Sequence, residues 1–265
     1  MSANSIKILK NDDVPLNGLN GKSVSIIGYG NQGRAHALNL RDSGVDVLIG
    51  ARDPENALSD GFKTKSIAET ADADLVIIAL PDEVQGEIFK TEIEPHLKPA
   101  STLGFIHGFA VHFEQINPSV GIGIVMVAPK GPGVTVRDNF LRGDGVLALI
   151  AVDRENETNT ARELALGWAA GIGSGRVGLI ESTFKDETET DLFGEQSIIV
   201  GGLTTLITSA YETLVSAGYP PHLAYIECCH EVKQVADIIH KRGIAEMMEA
   251  ISNTAEIGAY EAKQI

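Results

Sequence analysis

Two pairs of carboxylates, each four residues apart, are the residues of this 265-residue chain best placed by type and spacing to do chemistry. Asp191 and Glu195 lie in "ETDLFGEQSIIVGG", and Glu227 and Glu231 lie in "AYIECCHEVKQVAD". On a helix, an i, i+4 pair projects from one face, where two like charges repel by roughly 0.2–0.5 kcal/mol. Both faces neighbour apolar positions, Leu192, Phe193 and Ile198 in the first and Ile226, Val232 and Val235 in the second. The first pair runs into "SIIVGGLTTLITSA", which reads as the start of a buried helix. Burying an unpaired carboxylate costs several times more than the repulsion, so a cation is expected to compensate. Two such faces meeting make a cavity of oxygen donors that suits hard divalent ions, Mg²⁺ in particular. Glu187 and Glu189 are read instead as ordinary charges at a helix start, where the macrodipole favours anions. The adjacent Cys228 and Cys229 are expected to be buried free thiols facing away from the acidic surface, which argues against a disulfide and against zinc thiolate chemistry.

A second constellation is rich in glycine. In "SVSIIGYGNQGRAHALNL", Gly28, Gly30 and Gly33 follow a strand pattern and precede a helical one. In that context GxGxxG is a dinucleotide fingerprint: the glycines permit a tight turn, and the helix start offers N–H groups to a pyrophosphate. The next strand ends "LIGARDPENALSDGF", whose tip should face the adenosine ribose. There Arg52 either stacks on adenine or meets a 2′-phosphate, while Asp53 and Glu55 repel that phosphate and suit a free ribose hydroxyl. The loop leans to NADH over NADPH; a solvated turn indifferent to the cofactor is the alternative. Other strand ends carry Asp82 to Gln85 in "LPDEVQ", His107 in "GFIHGFAVHF", and Lys130 and Gly133 in "VAPKGPGV". His107, next to a glycine, is a catalytic candidate. Lys130 holds either an anionic substrate or a helix carboxylate. His112 reads as a packing or turn residue.

The elements that must position these residues follow from the hydrophobic pattern. Apolar runs at 22–28, 45–51, 75–80, 102–106, 123–129, 146–152 and 176–180 are continuous, as in strands of a parallel sheet covered on both faces. Helical patterns alternate with them, so a doubly wound, Rossmann-type α/β domain is expected over 1–181. Beyond it the strand signal vanishes. Helices are expected over 190–217, 220–242 and 244–251, broken at "AGYPP", giving an all-α region over 182–265. Acidic residues outnumber basic ones, 36 to 21, which excludes a nucleic-acid partner. The N-terminus lacks a secretory pattern, and the apolar stretches carry too many polar residues to span a bilayer alone, so a cytoplasmic protein is expected.

These motifs, taken in order, resemble ketol-acid reductoisomerase (acetohydroxyacid isomeroreductase) in its short form. The resemblance runs from about residue 14 to 260 and includes "GYGNQGRAHALNLRDSG", "LPDEVQ", "HGF", "VMVAPKGPG", "ETDLFGEQ", "ETLVSAGYPPHLAYIE" and "ISNTAE". It implies a knotted helical domain and two Mg²⁺ ions, with Asp191 bridging them and Glu195 binding the first. Glu227 and Glu231 are then supplied by a neighbouring subunit of a homodimer or larger oligomer, around the second ion and the substrate. It further implies Ser252 as a contact to the substrate carboxylate, and His107, Lys130 and Glu231 as catalytic residues. Tyr29, Gly30, Asn31, Gln32, Arg52, Asp82, Glu83, Val84, Gln85 and Gly133 match cofactor positions, for NADPH by default in the family.

The implied reaction converts 2-acetolactate, or 2-aceto-2-hydroxybutyrate, by alkyl migration and hydride transfer into a 2,3-dihydroxy acid of branched-chain amino-acid biosynthesis. Departures from the family pattern are Asn31 for serine, Ala110 for asparagine, a loop after Arg52 without phosphate-binding serines, and an end at Ile265 where the family continues with a further helical stretch. Two alternatives follow from them: a 2-keto-acid reductase without isomerase activity, and a non-catalytic nucleotide-binding homologue.

Overall fold

The computed structural model of the chain describes residues 7–262. Its residues group into two compact units, one up to Thr190 and one from Asp191 onward. In the first, β1 (Ile8–Leu9), β2 (Val24–Ile27), β3 (Val47–Gly50), β4 (Lys63–Lys65), β5 (Leu75–Ile78), β6 (Thr102–Phe105), β7 (Gly123–Pro129), β8 (Ala148–Arg154) and β9 (Leu179–Glu181) form one sheet. Their order is β1-β9-β8-β7-β6-β5-β2-β3-β4. From β4 across to β7 every pairing is parallel.

Successive residues on these strands point to opposite layers. Ile26, Ile49, Ile77 and Val125 pack with Leu38, Leu40 and Trp168 on one face. Ile27, Ile78, Phe105 and Met126 pack with Ile88, Phe89 and Ile93 on the other. Burial on both sides is the reason for the continuous apolar runs. The chain winds outward from β2 to β3 and β4, then returns to place β5 on the other side of β2. That reversal leaves a crevice at the carboxyl ends of the strands, where open α/β sheets take ligands.

The sheet becomes mixed beyond β7, which the run pattern did not foretell. β8 runs antiparallel to β7, and β1 antiparallel to β9. The two strands meet at their turn end, where Lys130 N–H donates to Leu147 O at 2.8 Å beside the Pro129–Ala148 pair. The excursion between them, including the helix Gly133–Leu141, therefore leaves and rejoins the same edge of the sheet like a long hairpin loop. β4 ("KTK") carries no apolar run, and β1 ("IL") is too short to be read as one.

A polar clasp fixes the amino ends of the two crevice strands. Ser23 N–H and Oγ–H donate to Asp74 Oδ2 at 2.8 and 2.7 Å, and Lys98 Nζ donates to Oδ1 at 2.7 Å. Burial pushes the Asp74 carboxyl up, but these hydrogen bonds and the Lys98 charge outweigh it and bring it down to about 2. A carboxylate depressed in the folded state adds stability that is complete above its ordinary pKa of 3.8 and lost as pH falls through about 2. Asp74→Asn is expected to lower unfolding free energy by about 2 kcal/mol at pH 7. Urea titrations should show the gap to the parent protein closing below about pH 4.

The second unit is helical. A π-helical turn, Glu195–Ile199, leads into Gly201–Ser216; Pro221–Tyr225 leads through another, Ile226–His230, into Val232–Ala250; Asn253–Ala262 follows. The breaks fall at Pro220, at Gly218 with φ 93° and at Gly243 with φ 83°, conformations that glycine adopts freely.

Three expectations need correction here. The helix Gly201–Ser216 is not buried: it has no buried residue, although Pro221–Tyr225 and Ile226–His230 pack along part of it. From Asp191 on, only Ala224 and Met248 are buried among the described residues. Ile198, Ile199 and Leu206 are 64, 63 and 69% exposed. The thiols of Cys228 and Cys229 are half-buried, not buried. The run Phe184–Ser216 is, by length and composition alone, sufficient to cross a membrane, so interspersed polar residues do not exclude it as the sequence reading supposed.

Candidate active site

A crevice of about 700 Å³ opens at the carboxyl ends of β2, β3, β5 and β6. Its floor is the fingerprint turn Gly28–Gln32, and each glycine has a distinct reason to be one. Gly28 has φ 102°, and a Cβ there would lie 2.5 Å from Ala79 O. A Cβ on Gly33 would lie 2.3 Å from Gly28 O, so this glycine serves helix–strand packing and does not itself line the crevice. Gly30 has nothing within 4 Å of its Cβ position, which leaves room for a ligand's close approach to the start of the helix Asn31–Asp42.

The remaining cofactor candidates divide. Arg52, Asp82, Val84 and Gln85 line the crevice, whereas Glu83 does not. Gly133 lies in a separate hollow, where a Cβ would meet Asn31 O at 2.2 Å; it backs the fingerprint turn and does not face the crevice. Arg52 Nη2 donates to Glu92 Oε1 at 2.9 Å, so its guanidinium is already engaged by a carboxylate. Asp53 Oδ1 accepts from Glu55 N–H at 3.2 Å. Gln32 Oε1 and Gln85 Oε1 are buried acceptors with no donor among the described residues, and both glutamines line the crevice. A polar, glycine-floored crevice with orphaned acceptors fits a dinucleotide.

At the other end of the crevice His107 follows β6, and here the structure corrects the reading of Glu187. The sequence suggested a solvated first-turn charge, but Glu187 is 1% exposed. Its Oε2 lies 2.9 Å from His107 Nδ1 and accepts from Gly108 N–H at 2.9 Å. Its Oε1 accepts from Lys130 Nζ at 2.6 Å. Burial alone pushes its carboxyl up; the His107, Lys130 and Gly108 hydrogen bonds and the Lys130 charge overcome this and hold it below the usual range. Lys130 thus takes the second of its two expected roles, holding a helix carboxylate. Gly108 must be glycine, since a Cβ would sit 2.5 Å from Thr188 Oγ1. His112 ends the one-turn helix Phe109–His112, meets Glu189 at 3.5 Å and packs on Phe113.

Asp191 follows Glu187 by one turn on the helix Phe184–Gly194. Glu195, Glu227 and Glu231 are exposed, and the described residues of a single chain do not gather the four carboxylates into one cluster. Glu195 and Glu227 lie in the two π-helical turns, closed by Val200 N–H donating to Glu195 O at 2.8 Å and Glu231 N–H donating to Ile226 O at 3.1 Å. Such turns concentrate at functional sites. Ser252 Oγ accepts from Ala255 N–H at 3.2 Å and caps the helix Asn253–Ala262, leaving its own proton to donate.

Two family descriptions match the chain almost end to end. Residues 18–178 match the NADPH-binding domain of acetohydroxy acid isomeroreductase, and residues 184–265 match the C-terminal domain of ketol-acid reductoisomerase. The chain belongs to the ketol-acid reductoisomerase family. A ketol-acid reductoisomerase (NADP(+)) from Campylobacter concisus is 50% identical over 261 residues, 97% of this chain and 76% of that protein. The structure of an NADH-preferring ketol-acid reductoisomerase from an uncultured archaeon superposes with a TM-score of 0.93 at 43% identity, over 97% of this chain and 80% of the other. A semialdehyde dehydrogenase NAD-binding protein from Cupriavidus necator, 18% identical with a TM-score of 0.67 over 91% of this chain and 90% of its own, shares the fold.

As in any ketol-acid reductoisomerase, chemistry here needs both a hydride site and a proton site, and the sequence pointed more clearly to the first. Glu187 carried one usable signal. A lysine and a histidine at adjacent strand ends, Lys130 and His107, suit a carboxylate partner, and Glu187 stands one turn before Asp191.

Proposed function

We propose that the chain catalyses the Mg²⁺-dependent isomerisation and NAD(P)H-dependent reduction of 2-acetolactate to 2,3-dihydroxy-3-methylbutanoate, and of 2-aceto-2-hydroxybutyrate to the corresponding dihydroxy acid. The observation that carries this reading is the buried Glu187 joining Lys130 to His107, a residue that itself lines the dinucleotide crevice. A reaction that removes a hydroxyl proton, moves an alkyl group and then delivers hydride and a proton to a ketone needs an acid–base group beside the nicotinamide. His107, Glu187 and Lys130 hold and pass that proton. Ser252 donates to the substrate carboxylate.

Asp191, Glu195, Glu227 and Glu231 hold two Mg²⁺ ions. When bound, these supply Lewis acidity at the substrate's hydroxyl and carbonyl oxygens. The donor set fits: it is all oxygen, and Glu195, Glu227 and Glu231 have no cationic partner among the described residues.

NADH is the preferred cofactor. Glu92 engages Arg52 Nη2, and Asp53 and Glu55 stand beside it, so a 2′-phosphate meets repulsion and a guanidinium already partly neutralised by a carboxylate. The protein works in the cytoplasm on a small molecule, with no nucleic-acid or membrane partner. The test is oxidation of NADH or NADPH with 2-acetolactate, with and without Mg²⁺. Turnover only with Mg²⁺ and a higher kcat/KM for NADH is expected. No turnover with either cofactor would remove the reading. Reduction of 3-hydroxy-2-ketoisovalerate without turnover of acetolactate would leave a plain reductase.

The second unit's uncovered apolar residues and exposed Glu227 and Glu231 support a homodimer or larger oligomer in which subunits share the carboxylates. A second copy, not a bilayer, covers the exposed apolar part of the run Phe184–Ser216, Ile198, Ile199, Val200, Leu203 and Leu206. Analytical ultracentrifugation without detergent should find the active species at twice the chain mass or more; activity in a monomer peak would contradict shared sites.

A further inference from the structure

Asp60, which neither the fingerprint nor the carboxylate pairs point to, accepts four hydrogen bonds from three residues beside the crevice. It ends the short helix Glu55–Ser59 on the loop that supplies Ala51, Arg52, Asp53 and Asn56 to the crevice wall. Its Oδ2 accepts from Tyr29 Oη–H at 2.9 Å and from Arg34 Nε at 2.7 Å. Oδ1 accepts from Arg34 Nη2 at 3.0 Å, completing a two-pronged pair, and the backbone oxygen accepts from Arg41 Nη1 at 2.6 Å. Phe62 closes the cluster, edge-on to Tyr29 at 5.8 Å and under the Arg41 guanidinium at 4.8 Å.

Tyr29 sits inside the fingerprint turn and lines the crevice, and Arg34 begins the helix behind it. We propose that Asp60 is the positioning residue for the adenosine half of the cofactor site, tying the loop 51–60 to the fingerprint turn so that the ribose-facing wall is formed before the cofactor arrives. The proposal rests on the crevice taking a nicotinamide dinucleotide. The loop's near end is fixed by β3. Asp60 fixes its far end. With the side chain only 20% exposed and the Arg34 fork bidentate, this pair is better built than an ordinary surface ion pair. The Arg34 hydrogen bond, first, and that from Tyr29 hold the Asp60 carboxyl down against burial, while burial and Asp60 push the Tyr29 hydroxyl up. Donor and acceptor therefore keep these forms across the working pH range. A loop freed at one end must be ordered by the ligand, which weakens binding without touching the reacting groups at His107.

The test uses Asp60→Asn and Tyr29→Phe in the full chain, with NADH binding followed by nucleotide fluorescence and steady-state kinetics with acetolactate and Mg²⁺. Asp60→Asn is expected to raise both Kd and KM for NADH roughly ten-fold, with kcat at saturation within about two-fold. Tyr29→Phe, which deletes one hydroxyl and leaves the fold intact, should raise both about three-fold. An unchanged Kd in Tyr29→Phe, or a fall in kcat with cofactor KM unmoved in Asp60→Asn, overturns the proposal. A parent protein that binds neither NADH nor NADPH defeats the dinucleotide reading itself, and Asp60's role with it; that result appears before any variant is compared.

Discussion

Glu187→Gln is expected to lower kcat for acetolactate by about 10²–10³, the scale of a lost acid–base network. Glutamine keeps the shape of glutamate and removes the charge. The parent carboxylate serves three donors at once: the Lys130 ammonium, the Gly108 N–H and the His107 ring. An amide offers one acceptor atom and one donor group, so the ammonium or the imidazole must face an N–H₂. Lys130 is 29% exposed and loses the Glu187 counter-charge, so a stability penalty should accompany the kinetic one. Breaking one side of a buried ion pair costs about 3–5 kcal/mol; with Lys130 partly solvated, the lower end of that range is expected, a fall in Tm of roughly 5–10 °C. The crevice at Gly28 to Gln32 is untouched, so KM for NADH should hold. Calorimetry and steady-state kinetics on one preparation separate the effects. Retention of kcat within about three-fold, with Tm lowered, would make Glu187 a structural carboxylate and return the proton chemistry to His107 alone.

The contrast between Glu187 and the fingerprint glycines explains what a single sequence discloses. Gly28, Gly30 and Gly33 act on their own backbone and on the segment beside them, so spacing and context reveal their role. β2, β5 and β7 were legible for a similar reason: being covered on both faces leaves a continuous apolar run in the strand itself. Helix ends in the second unit were legible from Pro220 and from Gly243, which breaks Val232–Ala250 where expected. Glu187 gives no such local trace. Its burial is decided by Gly108 and Lys130, 79 and 57 positions away, and by nothing in "DETET". Asp60 is the same case, bound to Tyr29 and Arg34 from an unremarkable "SDGF". The reversal of β8 left no mark either, since an apolar run reads the same in a parallel and an antiparallel strand. Where the sequence misled, it inferred burial from hydrophobicity. Gly201–Ser216 is apolar, yet the described part of its own unit covers it only in part and leaves Leu203 and Leu206 exposed.

Asp191→Asn should have the largest effect of any single substitution on acetolactate turnover, a loss of at least about 10³ in kcat. An amide is a poor ligand for Mg²⁺ in the proposed site, where four carboxylates would neutralise two dications, so weaker metal binding is expected together with lost turnover. Asp191 is the position from which the proposed site grows: it stands one turn past Glu187 and four before Glu195, whose π-helical turn re-aims the chain. Raising Mg²⁺ into the tens of millimolar should recover part of the loss if weak binding causes it, and none if the geometry of two ions is broken. The substrate decides between readings of the result. Equal losses with acetolactate and 3-hydroxy-2-ketoisovalerate place the ions in both half-reactions, whereas reduction that survives confines them to alkyl migration. A variant that melts lower in Mg²⁺ but turns over as fast as its parent would reduce the ions to structural ties and leave the acidic helix faces without a catalytic purpose.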